Sequence, residues 1–142
     1  MKLLGIDPGG TTGLCIVDTK KITRPYGMQS RYLYPHLGGW ITDADLIVME
    51  TVVAHGSLSQ GKIDQIKAVG AVEYLAELYR VCIVWITPEN RKVAERLVEF
   101  KDSNWNDVPA PHSRDAFYLT VAYALKEGLI ELDDAKPIVI KG

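Results

Sequence analysis

Residues 3–13 read LLGIDPGGTTG, and the organisation of the chain can be worked out from this stretch. The apolar residues before Asp7 predict a short buried strand. The proline and glycines after it predict a tight turn, because proline fixes its own φ and glycine reaches positive φ without strain. Residues 14–17 are apolar again and predict a second strand. We therefore predict a hairpin with an aspartate at its mouth, although an Asp-Pro pair is also a common turn start.

The size and composition of the chain limit its class. A length of 142 residues with 47% hydrophobic content predicts a single domain, residues 1–142, with a sizeable core. No apolar run approaches the roughly 18 residues of a membrane span, so we expect a cytoplasmic protein with no membrane partner. Cys15 and Cys82 lie in apolar runs without other ligands at metal spacing, which predicts reduced core cysteines.

The charge of the chain gives little information about its partners. Taken alone, a formal net charge of −2 argues against a protein that coats nucleic acid. Acidic residues nevertheless concentrate near the C-terminus, which leaves the remaining surface more basic. These residues are Glu127, Glu131, Asp133 and Asp134. The charge therefore permits nucleic-acid binding without predicting it.

The apolar pattern along the chain alternates between strand-like and helix-like segments. The predicted strands are residues 3–7, 14–17, 22–26, 46–50 and 81–86. The predicted helices are residues 29–42, residues 62–79, a segment that starts at Pro88 behind the N-cap Thr87, and residues 112–126. This order predicts an α/β fold with a mixed five-stranded sheet, in which a three-stranded antiparallel meander and two parallel strands are flanked by helices.

Acidic residues are predicted to meet at one edge of this sheet. Asp7 and Glu50 each end a buried strand, and right-handed crossovers place these two strands side by side. His112 and Asp115 are three positions apart on the last helix and share a face. Three close carboxylates repel one another unless cations lie between them, and such oxygen-rich sites suit Mg²⁺ or Mn²⁺. Taken singly, each residue could be a solvated strand end or a helix-start residue, so the prediction depends on their combination.

Three motifs together resemble the RuvC-like Holliday junction resolvases of the ribonuclease H-like superfamily. They are GIDPGGTTG at residues 5–13, the strand that ends at Glu50, and HSRDA at residues 112–116. The resemblance extends over residues 3–125, and its compact form is similar to viral members. It implies a ribonuclease H-like fold and a homodimeric, metal-dependent endonuclease of DNA recombination and repair. The implied partner is a four-way junction or other branched DNA.

The resemblance implies roles for four residues. Asp7, Glu50 and Asp115 would be metal ligands and catalytic residues. Two Mg²⁺ ions would occupy each site, with Mn²⁺ able to substitute, and such a pair can activate water and stabilise the leaving oxygen of a phosphodiester. His112 takes a position that is Asp or His in the family. It would either ligate a metal or carry a proton, since the pKa of histidine suits that task, and the sequence leaves both open.

Residues close to the motifs are candidates for contacts with nucleic acid. Basic side chains neutralise phosphates, which positions DNA without reading its sequence. The candidates are Thr11, Thr12, Lys62, Lys67, Arg91, Lys92 and Arg114. Each basic residue could equally be an exposed charge on a helix.

The chain also departs from the family, and other functions are open. Residues 88–112 form a short region, and the loop after Glu50 offers Val52, Val53 and His55 but no aromatic wedge for a junction centre. A first alternative is a nuclease of the same fold that processes ribosomal RNA precursors. A second is a nucleotide-binding module resembling sugar kinases and actin, although those folds close two domains over ATP. A third is an inactive scaffold that binds nucleic acid.

Overall fold

The computed structural model of the protein describes residues 1–22, 24–31, 34–52, 59–98 and 107–130. The strands in these ranges are β1 (Lys2–Asp7), β2 (Thr12–Asp18), β3 (Tyr26–Ser30), β4 (Leu46–Glu50) and β5 (Ile83–Ile86). The helices are α1 (Tyr34–Thr42), α2 (Gln60–Tyr79), α3 (Pro88–Leu97) and α4 (His112–Lys126). Among these helices, none combines the length and the apolar character needed to span a bilayer.

The strands form one mixed sheet in the order β3-β2-β1-β4-β5. β1, β2 and β3 pair antiparallel, whereas β4 is parallel to β1 and β5 is parallel to β4. The predicted meander with two added parallel strands is therefore confirmed. Ile6 lies opposite Met49 in the β1–β4 register, so Asp7 and Glu50 follow at the same edge of the sheet.

Each face of the sheet is covered by two helices. Successive side chains of a strand point to opposite faces, and β1 shows this alternation. Leu4 and Ile6 pack with residues of α1 and α2, whereas Leu3 packs with residues of α3 and α4. Asp7 has the same parity as Leu3 and therefore faces the layer of α3 and α4. Glu50 faces this layer as well, because its carboxylate contacts α3.

Helix α4 lies directly on the hairpin because the strands beneath it carry glycines. A Cβ on Gly13 would lie 2.1 Å from the carbonyl carbon of His112, and one on Gly5 would lie 2.0 Å from the carbonyl oxygen of Ala116. The buried hydroxyl of Ser113 donates to the carbonyl oxygen of Leu14 at 2.6 Å. The first turn of α4 is thus fixed against the start of β2.

The ends of three helices agree with local sequence signals. The Thr87 hydroxyl accepts a hydrogen bond from the backbone N of Asn90 at 3.3 Å, which confirms the predicted N-cap ahead of Pro88. α2 begins after Ser59, whose hydroxyl accepts from the backbone N of Lys62. Gly128 has a φ of +67° just beyond α4, as expected for a glycine that stops a helix.

Three expectations require correction. The third strand is β3, Tyr26–Ser30, and not residues 22–26, because Ile22 is buried in a turn rather than in a strand. The first helix begins at Tyr34 and not at residue 29, since Gln29 pairs with Gly13 in the sheet. Cys15 is buried and Cys82 is exposed, so only the former is a core residue, and both are free thiols. Some residues lie outside the part of the chain that the structure describes: Val53, His55, Trp105 and residues 131–142.

Candidate metal centre

Three of the four predicted ligands meet where β1 ends and α4 begins. Asp7 is the last residue of β1, and His112 and Asp115 lie in the first turn of α4. One ligand atom from each lies within 4.8 Å of the others, and no other group of three metal-ligand side chains this close occurs in the described part of the chain. The Nδ1 atom of His112 lies 3.0 Å from Oδ2 of Asp7.

Burial controls the charge state of Asp7. The pKa of Asp7 is raised to about 6, chiefly because burial removes water from the carboxylate, and the hydrogen bond with His112 opposes this effect. The negative charges of Asp115 and Glu50 also contribute to the rise. At 3.0 Å the carboxyl and the imidazole share a hydrogen bond, with the proton on one of the two groups. A cation bound between them would have to displace that proton.

Asp115 lies in a similar but more open environment. Burial raises the pKa of Asp115 above its ordinary value, and the positive charge of Arg91 acts in the opposite direction. One Nη atom of Arg91 lies 3.8 Å from Oδ1 of Asp115. Both carboxyl groups of the cluster are thus harder to ionise than free aspartate.

Glu50 is not a member of the three-residue cluster, because its carboxylate is bound by Arg91. Nε of Arg91 donates to Oε2 of Glu50 at 2.6 Å. The guanidinium also forms an ion pair with Glu95, one turn further along α3. A cationic side chain therefore lies between the end of β4 and the first turn of α4. The i, i+4 spacing of Arg91 and Glu95 predicts their pairing from sequence. The same spacing does not predict that α3 lies close enough to Glu50 for Arg91 to bind its carboxylate.

Gln29 positions the cluster and was not among the predicted site residues. Its Oε1 accepts hydrogen bonds from the backbone N atoms of His112 at 2.8 Å and Ser113 at 3.3 Å. Its Nε2 donates to the carbonyl oxygen of Ala110 at 2.6 Å. α4 begins after Pro111, which provides no side-chain cap, so Gln29 of β3 satisfies the first N–H groups instead. Contacts across 83 residues carry no local sequence signal.

The two threonines of the first motif differ in accessibility. Thr12 is buried, and its hydroxyl donates to the carbonyl oxygen of Gly9 at 3.1 Å, which closes the turn after Asp7. Thr11 is half-buried at the same turn. The carboxylate of Asp64 approaches Gly10, so the first turns of α2 lie against the loop that follows Asp7.

The basic candidates occupy different surroundings. Lys62 is half-buried at the start of α2, where its Nζ donates to Gln65. Lys67 and Lys92 are exposed on α2 and α3. Arg114 is half-buried in the first turn of α4, and its Nε donates to the carbonyl oxygen of Val108 at 3.2 Å.

Two solved structures with the same architecture are structures of RuvC. RuvC of T. thermophilus in complex with a Holliday junction substrate superposes with a TM-score of 0.66 and 16% identity, over 89% of this chain and 94% of that chain. The chain has the RuvC fold. A second Thermus thermophilus RuvC structure gives a TM-score of 0.60 and 16% identity, over 91% of this chain and 98% of that chain. No model of a known protein family and no curated protein matches the sequence.

Proposed function

We propose that this chain is a metal-dependent endonuclease that cuts four-way DNA junctions by hydrolysing phosphodiester bonds. The observation that carries the proposal is the cluster of Asp7, His112 and Asp115, in which a ligand atom of each residue lies within 4.8 Å of the others on the RuvC fold. RuvC of this fold was solved with a Holliday junction substrate, which supports the same class of DNA as the substrate here.

The donor set suits a divalent ion that prefers oxygen ligands. Asp7 and Asp115 would supply carboxylate oxygens, which favours Mg²⁺ with Mn²⁺ as a substitute. Two ions per site would also require Glu50, whose carboxylate Arg91 now binds. The bound metal would activate water and stabilise the negative charge of the phosphate.

His112 has two possible tasks in this reaction. If it bound a metal through Nδ1, His112 would give up the hydrogen bond to Asp7. As a proton carrier, it would keep that bond, and Asp7 would orient the ring. Its backbone N is fixed by Gln29 in either case, so the ring starts from a defined position.

Positive side chains around the cluster would hold the DNA backbone. Lys62 lies at the start of α2, which contacts the loop after Asp7, and Arg114 lies beside His112 on α4. Lys92 is exposed one position after Arg91 on α3. Each would contact phosphates without reading bases, as expected for an enzyme that selects DNA by shape. Thr11 is accessible enough at the turn to add a hydrogen bond.

We also propose a homodimer formed through the outward face of α2. This face exposes apolar side chains in one row of i, i+4 spacing: Ile66 is 44%, Tyr74 67% and Leu78 57% accessible. If the α2 helices of two subunits packed antiparallel about a twofold axis near residue 72, the exposed apolar row of one helix would contact the same row of the other. Ile66 would meet the partner subunit's Leu78, and Gly70 would accommodate the partner subunit's Tyr74. Such self-complementarity is what a twofold interface requires.

Charge supports the same pairing. Lys67 and Glu77 are both exposed on α2 and are equally far from residue 72 in opposite directions. Each Lys67 would therefore face the partner subunit's Glu77. Within this proposal, Lys67 contacts the second subunit rather than DNA.

Tyr74→Glu is expected to convert the dimer to a monomer, because it places a charge at the centre of the apolar row. Sedimentation velocity measures the change. Val93→Glu is the matched control, since Val93 is also an exposed apolar helix residue but lies on α3. A wild-type protein that sediments as a monomer, or a Tyr74→Glu variant that remains dimeric, would contradict the α2 interface.

The activity is tested by comparing substrates under one set of conditions. A synthetic four-way junction, a duplex, a flap and a single-stranded RNA are incubated with Mg²⁺, with Mn²⁺ and with EDTA. We expect the junction to be cut at least about tenfold faster than the other substrates, and EDTA to abolish cleavage. Asp115→Asn, purified in parallel, should be inactive and excludes a contaminating nuclease. Faster cleavage of RNA would favour the ribonuclease alternative, and ATP hydrolysis would favour the kinase-like one.

A further inference from the structure

Several carboxylates of the site lie close together and need a nearby positive charge, and the side chain of Arg91 provides it. Its guanidinium binds Glu50 through Nε at 2.6 Å, pairs with Glu95 and lies 3.8 Å from Asp115. The arginine side chain is only 18% accessible, and that of Glu50 is 20% accessible. An ion pair this far from water is screened much less than a surface pair. An arginine side chain is also effectively always protonated in proteins.

We propose that Arg91 is an internal counter-ion that competes with the divalent metal for the carboxylate of Glu50. This inference rests on the proposed metal-dependent function and adds a positioning residue to it. Without metal, Arg91 neutralises the carboxylates at the end of β4 and on α3. For Glu50 to act as a ligand, its bond to Arg91 must break, because a guanidinium and a divalent cation repel each other at one carboxylate.

Glu95 makes this exchange possible without releasing Arg91 into solvent. It lies one turn after Arg91 on α3 and binds the guanidinium independently of Glu50. When Glu50 turns toward a metal, Glu95 therefore retains the arginine beside the site. The arginine, with one of its carboxylate partners withdrawn, then has donors available for another anion, and a phosphate of the bound DNA has the matching geometry.

If Arg91 competes with the metal, Arg91→Gln should strengthen metal binding but lower the stability of the metal-free protein. In Arg91→Gln, Glu50 carries no charge-assisted hydrogen bond that a metal must break, so the metal should bind about tenfold more tightly. The same substitution leaves Glu50, Glu95 and Asp115 without their counter-ion, so the metal-free protein should melt at a lower temperature. A residue with a purely structural role would weaken both properties together.

Calorimetric titration with Mn²⁺ and thermal melting in EDTA measure these two effects on the purified, DNA-free protein. Arg96→Gln is the matched control, because Arg96 lies on the same helix and carries the same charge but is exposed. We expect this control to bind Mn²⁺ within about twofold of the wild type, since an exposed charge is screened by solvent. Tighter Mn²⁺ binding and a lower melting temperature in EDTA, both confined to Arg91→Gln, support the competition.

The possible failures can be told apart. If the wild type binds Mn²⁺ and Arg91→Gln binds it equally or more weakly, the competition is wrong and the metal-dependent function stands. Equal tightening in Arg91→Gln and Arg96→Gln would also overturn it, because the effect would then come from net charge. If the wild type and both variants bind no Mn²⁺, the proposed function fails, and this inference fails with it.

Discussion

Replacing Asp7 with asparagine is expected to abolish cleavage while stabilising the metal-free protein. Asp7 is the strand-end carboxylate of the cluster, so its loss removes a charged ligand. We expect at least about a 10³-fold loss of metal-dependent cleavage, since even outer-shell partners of a metal contribute about 10- to 100-fold. Asparagine has nearly the same shape and can still accept a hydrogen bond from His112. The loss of activity should therefore occur in a folded protein.

The gain in stability follows from the raised pKa of Asp7. Burial raises this pKa from 3.8 to about 6, so the folded state holds the proton more tightly than the unfolded state. The contribution of Asp7 to stability is therefore greatest below pH 4, falls as the pH rises toward 6, and remains reduced above it. The shift corresponds to at most about 3 kcal/mol, and because the side chain is 20% exposed and partly screened by solvent, about half of this cost should be measurable. Asparagine does not ionise and avoids the cost.

Melting curves in EDTA across pH test this prediction. At pH 7 the Asp7→Asn variant should melt about 5 °C above the wild type. The difference should shrink as the pH falls to 4, where the wild-type carboxyl is protonated in the folded state. Asp43→Asn is the control, because Asp43 is an exposed aspartate, far along the sequence from the cluster, that pairs with Lys2, and it should alter neither cleavage nor melting. An Asp7→Asn variant that melts below the wild type at pH 7 would show that the charge of Asp7 is not destabilising.

The sheet and the location of the cluster were predictable because local signals specify them. An apolar run that stops at Asp7 and another that stops at Glu50 define two buried strands. The chain between them contains β2, β3 and α1, and a right-handed crossover from β3 through α1 brings β4 parallel to β1, so that both strands end at the same edge. The N-cap Thr87 with Pro88 and the stop at Gly128 are equally local. These features depend on a few consecutive residues, so the sequence alone is sufficient.

The remaining features depend on the approach of distant segments. β3 contains Gly27 and few apolar residues, so its sequence lacks the usual strand pattern. Its place in the sheet is explained by α4: Gly27 leaves room for the Ser113 hydroxyl, and Gln29 caps the helix. The binding of Glu50 by Arg91 likewise requires α3 to lie over the end of β4. Periodicity predicts α3 as a helix but does not specify which carboxylate its arginine contacts.

Replacing Gly13 with alanine is expected to destabilise the protein strongly. The added Cβ would lie 2.1 Å from the carbonyl carbon and 2.2 Å from the carbonyl oxygen of His112. These are backbone atoms, so no side-chain rotation can relieve the overlap, and α4 must move away from β2. We expect a loss of about 3 kcal/mol in the free energy of unfolding, near the upper end for overpacking, and a melting temperature lower by about 10 °C.

Gly39→Ala provides the matched control for the added methyl group. Gly39 lies within α1, and a Cβ there would meet no atom within 4 Å. Alanine in a helix costs less conformational entropy than glycine, so this variant should be about 0.5 kcal/mol more stable than the wild type. If Gly13→Ala lowers the free energy of unfolding and Gly39→Ala raises it, the contact with α4, and not the loss of a glycine, causes the destabilisation at Gly13.

The substitution at Gly13 should also impair the metal centre well below its melting temperature. Gly13 lies directly opposite Asp7 in the β1–β2 register, and its missing side chain is what allows His112 to approach that carboxylate to 3.0 Å. Displacing α4 by the size of a methyl group would separate the ligands, so Mn²⁺ affinity measured at 10 °C should fall at least about tenfold. Gly39→Ala should bind Mn²⁺ as the wild type does. If Gly13→Ala retains full affinity and stability, α4 does not rest on the hairpin, and the cluster would have to form by another route.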